Sequence, residues 1–195
     1  MKAGKNFHVP LPADLHEELR TIAAQLGKPA TALAREAIER HLKRLRKEAM
    51  DAEITAWALE HAGTEVDLDP ALRLPPWSFS RAMRRGEIYW ADLEPRSGAE
   101  QTGRRPVVLV SRDALNRIPA WRSVNVVPLS TTKRRPGPTM VAFRAGTAGL
   151  PQESLALCHQ VTTLDRGKLR ALIGTLPAPE LARLDSALKL ALELD

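Results

Sequence analysis

Cysteine is almost missing from this chain of 195 residues, where Cys158 stands alone. A single thiol excludes an internal disulfide framework and any zinc cluster built from several thiolates. It falls in the apolar run Leu155 to Val161 and reads as a small core residue. Aromatic residues make up only 4% of the chain. No apolar run approaches the ~18 residues of a membrane span, and the N-terminus lacks a basic-then-apolar secretory pattern. A cytoplasmic protein without membrane contact is expected. Also missing are a Gly-Lys-Ser/Thr phosphate loop, a His-Glu-x-x-His pair and a Cys-x-x-Cys pair, which removes the usual signals for nucleoside triphosphate and zinc chemistry. Neither a metal nor a cofactor is expected.

What the chain does have is unevenly spread charge. The formal total is +6 at pH 7, divided as +4 over residues 1–50, −5 over residues 51–80 and +7 over residues 81–195. Two basic modules flanking an acidic connector suit two polyanion binders, with a middle segment able to cover one of them. The length allows one or two small domains.

In residues 1–50, Phe7, Val9 and Leu11 alternate with Asn6, His8 and Pro10, which predicts a half-buried strand over Lys5–Pro12. Leu15, Leu19, Ile22, Ala23 and Leu26 then recur at helical spacing, with Asp14 near the start and Gly27 and Pro29 as stops. Thr31 is expected to cap a second helix carrying Ala34, Ala37, Ile38, Leu42 and Leu45. One strand and two helices bury too little surface alone, so this unit should dimerise. Strand, helix, helix at this length resembles the ribbon-helix-helix DNA-binding family. The resemblance implies that Lys5, Asn6 and His8 face operator DNA from a two-stranded ribbon. Lys43, Arg44, Arg46 and Lys47 either touch phosphates or complement the dipole at a helix C-terminus.

The second helix can continue through Trp57 and His61 to a stop at Gly63. Beyond it, Glu65, Asp67 and Asp69 alternate with aliphatics, and Trp77 and Phe79 follow with no regular period. Residues 51–82 read as an acidic arm and linker with too little apolar surface to fold alone. The arm would be anchored on a partner by Trp57, Trp77 and Phe79 and steered by its acids.

From residue 83 the pattern changes to short strands, expected at Gly86–Asp92, Val107–Ser111, Val124–Ser130, Met140–Phe143 and Leu155–Val161. Pro179 should open a terminal helix with Leu181, Leu184, Leu188 and Leu192 on one side. A small, strongly twisted barrel is expected. Gly86-Glu87-Ile88-Tyr89-Trp90-Ala91-Asp92-Leu93, then Gly98-Ala99-Glu100-Gln101-Thr102-Gly103-Arg104-Arg105-Pro106, then Val124-Asn125-Val126-Val127-Pro128-Leu129-Ser130-Thr131-Thr132 carry a further likeness. In this order they resemble the MazF/PemK family of toxin endoribonucleases. That resemblance implies an α+β architecture: an SH3-like barrel with a C-terminal helix, dimeric, acting on single-stranded RNA.

The implied reaction is metal-independent. The ribose 2′-hydroxyl attacks its own phosphate and leaves a 2′,3′-cyclic phosphate and a 5′-hydroxyl. Such a step needs proton removal, charge stabilisation on the phosphorane and protonation of the leaving oxygen. Arg105, a guanidinium held by Pro106, can grip two phosphate oxygens and matches the family's catalytic arginine. Ser130 matches its catalytic threonine. Glu100 and Gln101 match the loop over the RNA, and Thr131, Lys133, Arg134 and His159 would complete the groove. His159 is either a second acid/base or a half-buried strand histidine. Of Tyr89 and Trp90, one should face the core and one could stack a base.

With Met83 resembling a toxin start, the whole chain looks like an antitoxin and a toxin joined end to end. Family antitoxins lay acidic tails in the RNA groove, which here implies inhibition in cis or in trans within a dimer or higher oligomer. Two alternatives compete: a gyrase poison of the CcdB kind, disfavoured because Leu192-Glu193-Leu194-Asp195 lacks that family's Trp-Gly-Ile, and a repressor whose toxin half is dead.

Overall fold

A computed structural model describes residues 8–68, 82–94, 103–131 and 135–194. They belong to two compact units, Met1–Met50 and Asp51–Asp195. Lys5 and Asn6 lie outside the described residues.

The first unit is helical. Helix α1 spans Ala13–Gln25, and helix α2 spans Ala30–His61, its last residues from Asp51 belonging to the second unit. The α1 C-terminus closes as a glycine turn. Gly27 takes φ +62°, and Lys28 N–H returns to Ala23 O at 2.9 Å, a geometry that satisfies the last carbonyls of the helix. Thr31, expected as the cap of α2, lies inside it. The helix starts one residue earlier, with Pro29 O accepting from Ala32 and Leu33. Residues 8–12 form no strand. Leu15, Ile22, Leu26, Ile38, Leu42 and Leu45 remain 39–58% exposed.

The second unit is a seven-stranded antiparallel sheet with a helix on one face. Its strands are β1 (Glu87–Asp92), β2 (Arg104–Leu109), β3 (Ser123–Ser130), β4 (Met140–Phe143), β5 (Ser154–Leu157), β6 (Thr162–Asp165) and β7 (Leu169–Thr175). A one-turn helix α3 (Asp113–Asn116) lies between β2 and β3, and α4 (Ala178–Leu192) closes the sequence of elements. The order is β4-β5-β3-β2-β1-β7, with β6 also beside β3. No ladder joins β4 to β7 among the described residues, so the expected barrel is not closed by hydrogen bonds.

Strand β3 is the spine. One edge pairs with β2 through Val126–Pro128. The other is divided, with Ser123–Val126 against β6 and Leu129–Ser130 against β5. This division corrects the expected strand Leu155–Val161. It stops at Leu157, and a 3-10 turn over Cys158–Gln160 carries the chain from one part of β3 to the other. Strands β6 and β7 have no counterpart among the expected strands.

Apolar residues fill both faces. Ile88, Val108, Val127, Leu129, Val141 and Phe143 pack with Leu184, Ala187 and Leu188 of α4. On the other face Tyr89, Ala91, Val107, Leu109, Val126, Leu164 and Leu169 form a second core. That explains why Val107–Val110 is a continuous apolar run rather than an alternating one. Fully burying a Leu or Phe contributes about 1.5–3 kcal/mol. Cys158 is fully buried in the first core, where burial pushes its thiol up to about 11.

As expected, the second helix runs on into the connector, as far as His61, and the chain then turns. Ala58 is buried against Ile118 and Trp121. The Trp57 ring lies 5.4 Å from that of Trp121 and 4.9 Å from His61. Arg112 Nε meets Asp51 Oδ1 at 2.5 Å. Asp67 is buried, its carboxylate accepting from Arg122 N–H at 2.7 Å, Ser123 N–H at 2.8 Å and Gly63 N–H at 3.2 Å. The same region holds Arg166, whose Nε donates to Trp121 O and whose Nη2 donates to Asn116 O, both at 3.0 Å. Burial lowers the Arg166 pKa, against the opposing fields of Asp67, Tyr89 and Asp165.

Candidate functional site

Arg105 and Pro106 occupy the second and third positions of β2. Proline cannot donate to a ladder, so inside a sheet it belongs where one neighbour is missing. The β2–β3 ladder begins only at Val107, opposite Pro128, while Pro106 faces Trp90 of β1. Continued two residues past its last pair, that register sets Arg105 level with Ser130.

An open groove of about 300 Å³ lies at these strand ends. Trp90, Gly103, Arg104, Arg105, Pro106, Leu129, Thr131, Pro151, Gln152 and Ser154 line it. Alternation places Arg105 on the face of its partner Ala91 and of Val107, and Pro106 on the face of its partner Trp90. The groove therefore takes residues from both faces, across the ends of the strands. Arg104 stands over the Trp90 ring, its guanidinium carbon 5.4 Å from the ring centroid. Of the aromatic pair, Tyr89 is the core residue: it is buried, and its hydroxyl donates to Glu87 Oε2 at 2.6 Å.

Of the residues singled out in the sequence, Trp90, Arg105 and Thr131 line this groove. Ser130 is buried at the end of β3, opposite Leu155. His159 is exposed on the 3-10 turn after β5, within 3.1 Å of Thr139 Oγ1, and is not among the lining residues. Glu100, Gln101, Lys133 and Arg134 lie outside the described residues, as do Asp69, Trp77 and Phe79. Glu65 is exposed, and Asp67 and Trp57 sit beside the entry to β3, at the other end of that strand from Ser130. His8 is exposed. Gln152 and Ser154 were not singled out. Their turn, held by Ser154 Oγ donating to Gln152 O at 3.0 Å, gives no chemical motif in the sequence.

A family model described as the PemK-like, MazF-like toxin of type II toxin–antitoxin systems matches residues 84–192. The chain belongs to this family. The toxin domain is 38% identical over 115 residues to Endoribonuclease MazF9 of Mycobacterium tuberculosis, an alignment covering 57% of this chain and 98% of the relative. It is 33% identical over 112 residues to Endoribonuclease EndoA of Bacillus subtilis, covering 57% and 96%. A crystal structure of MazF from Deinococcus radiodurans superimposes with a TM-score of 0.51 at 24% identity, over 58% of this chain and 99% of that one, which supports the shared fold. Among the described residues, no helix is long and apolar enough to cross a membrane.

Proposed function

We propose that the toxin domain is a sequence-specific endoribonuclease that cuts single-stranded RNA without a metal, in the groove at the ends of β1, β2 and β3. The observation that carries this reading is Arg105 lining the groove at the level of Ser130, within a domain whose relatives are named endoribonucleases. A guanidinium binds the equatorial oxygens of the phosphorane and stabilises its charge, the largest usual contribution in such a site. The Ser130 hydroxyl hydrogen-bonds the phosphate, and Thr131 holds the backbone beside it. The products are a 2′,3′-cyclic phosphate and a 5′-hydroxyl. The relatives' endoribonuclease names favour this reading over a gyrase poison or a dead repressor.

The first unit acts as the antitoxin part. Its exposed apolar stripe supports burial against a second copy, as a ribbon-helix-helix dimer that binds operator DNA through Lys5, Asn6 and His8. The acidic arm restrains the ribonuclease, and tethering raises its local concentration, to about millimolar for a short flexible linker. Function in the cytoplasm follows from an RNA substrate and a DNA operator.

The test compares the whole chain with residues 83–195, which lack the arm, on a long RNA in EDTA, with 5′ ends mapped. Cutting at a short fixed sequence, with 5′-hydroxyl ends and a lower rate in the whole chain, is expected. Equal rates would remove the inhibitory arm from the reading. A folded toxin domain that cuts no RNA would remove the enzyme.

A further inference from the structure

Trp90 has a role that core packing alone does not explain. Its neighbour Tyr89 is buried, whereas the Trp90 indole is half-buried and lines the same groove as Arg105. A cation already occupies the ring, because Arg104 sits 5.4 Å from its centroid. An indole paired with a guanidinium makes a surface suited to another flat π system carrying negative charge nearby, which describes a nucleotide. Gln152, also lining the groove, adds an amide able to donate and accept.

We propose that Trp90 and Arg104 form the nucleobase platform of the toxin domain. This rests on the ribonuclease reading of the groove and adds to it the group that positions the substrate. One unpaired base stacks on the indole in place of the Arg104 guanidinium, which turns to a phosphate next to the one held by Arg105. Stacking tolerates any base, so Trp90 sets register and affinity, while Gln152 reads the base edge. Trp90 is thus a positioning residue whose effect depends on a base being present.

The test is an abasic scan. Oligoribonucleotides containing one preferred cleavage site, each lacking one base, are cut by the whole wild-type chain in excess, under single-turnover conditions in EDTA. Restraint by the arm lowers all rates together and cancels in ratios. At one position next to the cut, loss of the base should slow wild type about tenfold or more. The same loss should slow Trp90→Leu less than twofold, and Trp90→Phe should regain most of the sensitivity. Arg104→Ala should weaken binding of a 2′-O-methyl oligoribonucleotide and flatten its salt dependence. If Trp90→Leu keeps the full abasic penalty, the platform is wrong and the ribonuclease stands. If neither the whole chain in excess nor the folded toxin domain, residues 83–195, cuts any RNA, the ribonuclease reading and the platform fall together.

Discussion

The Asp67 carboxylate accepts the backbone N–H of Ser123 at 2.8 Å, so an acid of the connector caps the first residue of β3. It also accepts from Arg122 N–H and contributes to the field at the buried Arg166. Removing it would leave buried donors without their acceptor and a buried cation with less countercharge. Asp67→Ala is expected to lower stability by about 3–5 kcal/mol in urea titrations of the whole chain. Glu65→Ala, at an exposed position, should change it by no more than ~0.5 kcal/mol. Equal effects from the two would refute the cap.

Arg105→Ala should slow RNA cleavage roughly 10²–10³-fold, the loss typical of one transition-state donor, with no change in melting temperature beyond a degree or two. Arg105→Lys keeps the charge but not the two-pronged grip, and should recover little. Wild-type rates from a folded Arg105→Ala protein would end its catalytic role.

In the proposed reaction, Ser130 and Thr131 divide two tasks. Ser130→Ala should reduce the rate constant of the chemical step, whereas Thr131→Val should chiefly raise KM. The reverse split would move the catalytic hydroxyl to the residue that lines the groove.

Gly174 is held by space rather than by backbone conformation. A Cβ there would stand 2.2 Å from Ala148 O, a backbone atom with little freedom to yield. Gly174→Ala should destabilise by at least ~1–3 kcal/mol. Full stability in the variant would show that the turn at Thr147–Gly149 can move away.

Burial holds the Cys158 proton on, with the thiol at about 11 in the folded chain. The unfolded thiol ionises near pH ~8.5. The folded chain therefore keeps its full Cys158 contribution below that pH and loses it progressively as pH rises towards 11. Wild type should lose more stability than Cys158→Ala between pH 8 and 10.5, and should resist iodoacetamide at pH 8 until denatured. Parallel stability curves would contradict this account.

Much of the toxin domain was legible because its signals are local. The alternation of Glu87–Asp92 and the apolar run Val107–Val110 need no knowledge of distant partners. Leu184 and Leu188 mark the face of α4 by spacing alone. Strand β7 escaped because its pairing with β1 shifts register around Tyr89, which blurs the alternation that a strand normally shows. The break after Leu157 depends on β3 having two neighbours along one edge, a tertiary fact. At the site, the Arg105-Pro106 step was readable from chemistry. The placement of Asp67 was not, since an acid in a polar turn looks the same whether it faces solvent or caps a strand 56 residues away.

Strand β3 has Asp67 bound at its first residue and the Ser130 hydroxyl at its last. Side chains along a strand alternate, so parity is conserved only when length changes by two. A one-residue insertion or deletion between Val124 and Leu129 would leave each anchor chemically intact. It would nevertheless turn Ser130 to the opposite face from Arg105, or pull Ser123 out of reach of Asp67. In natural or engineered variants, this stretch should accept substitutions but reject odd-numbered length changes, while the 3-10 turn at Cys158–Gln160 has no such counting rule imposed on it.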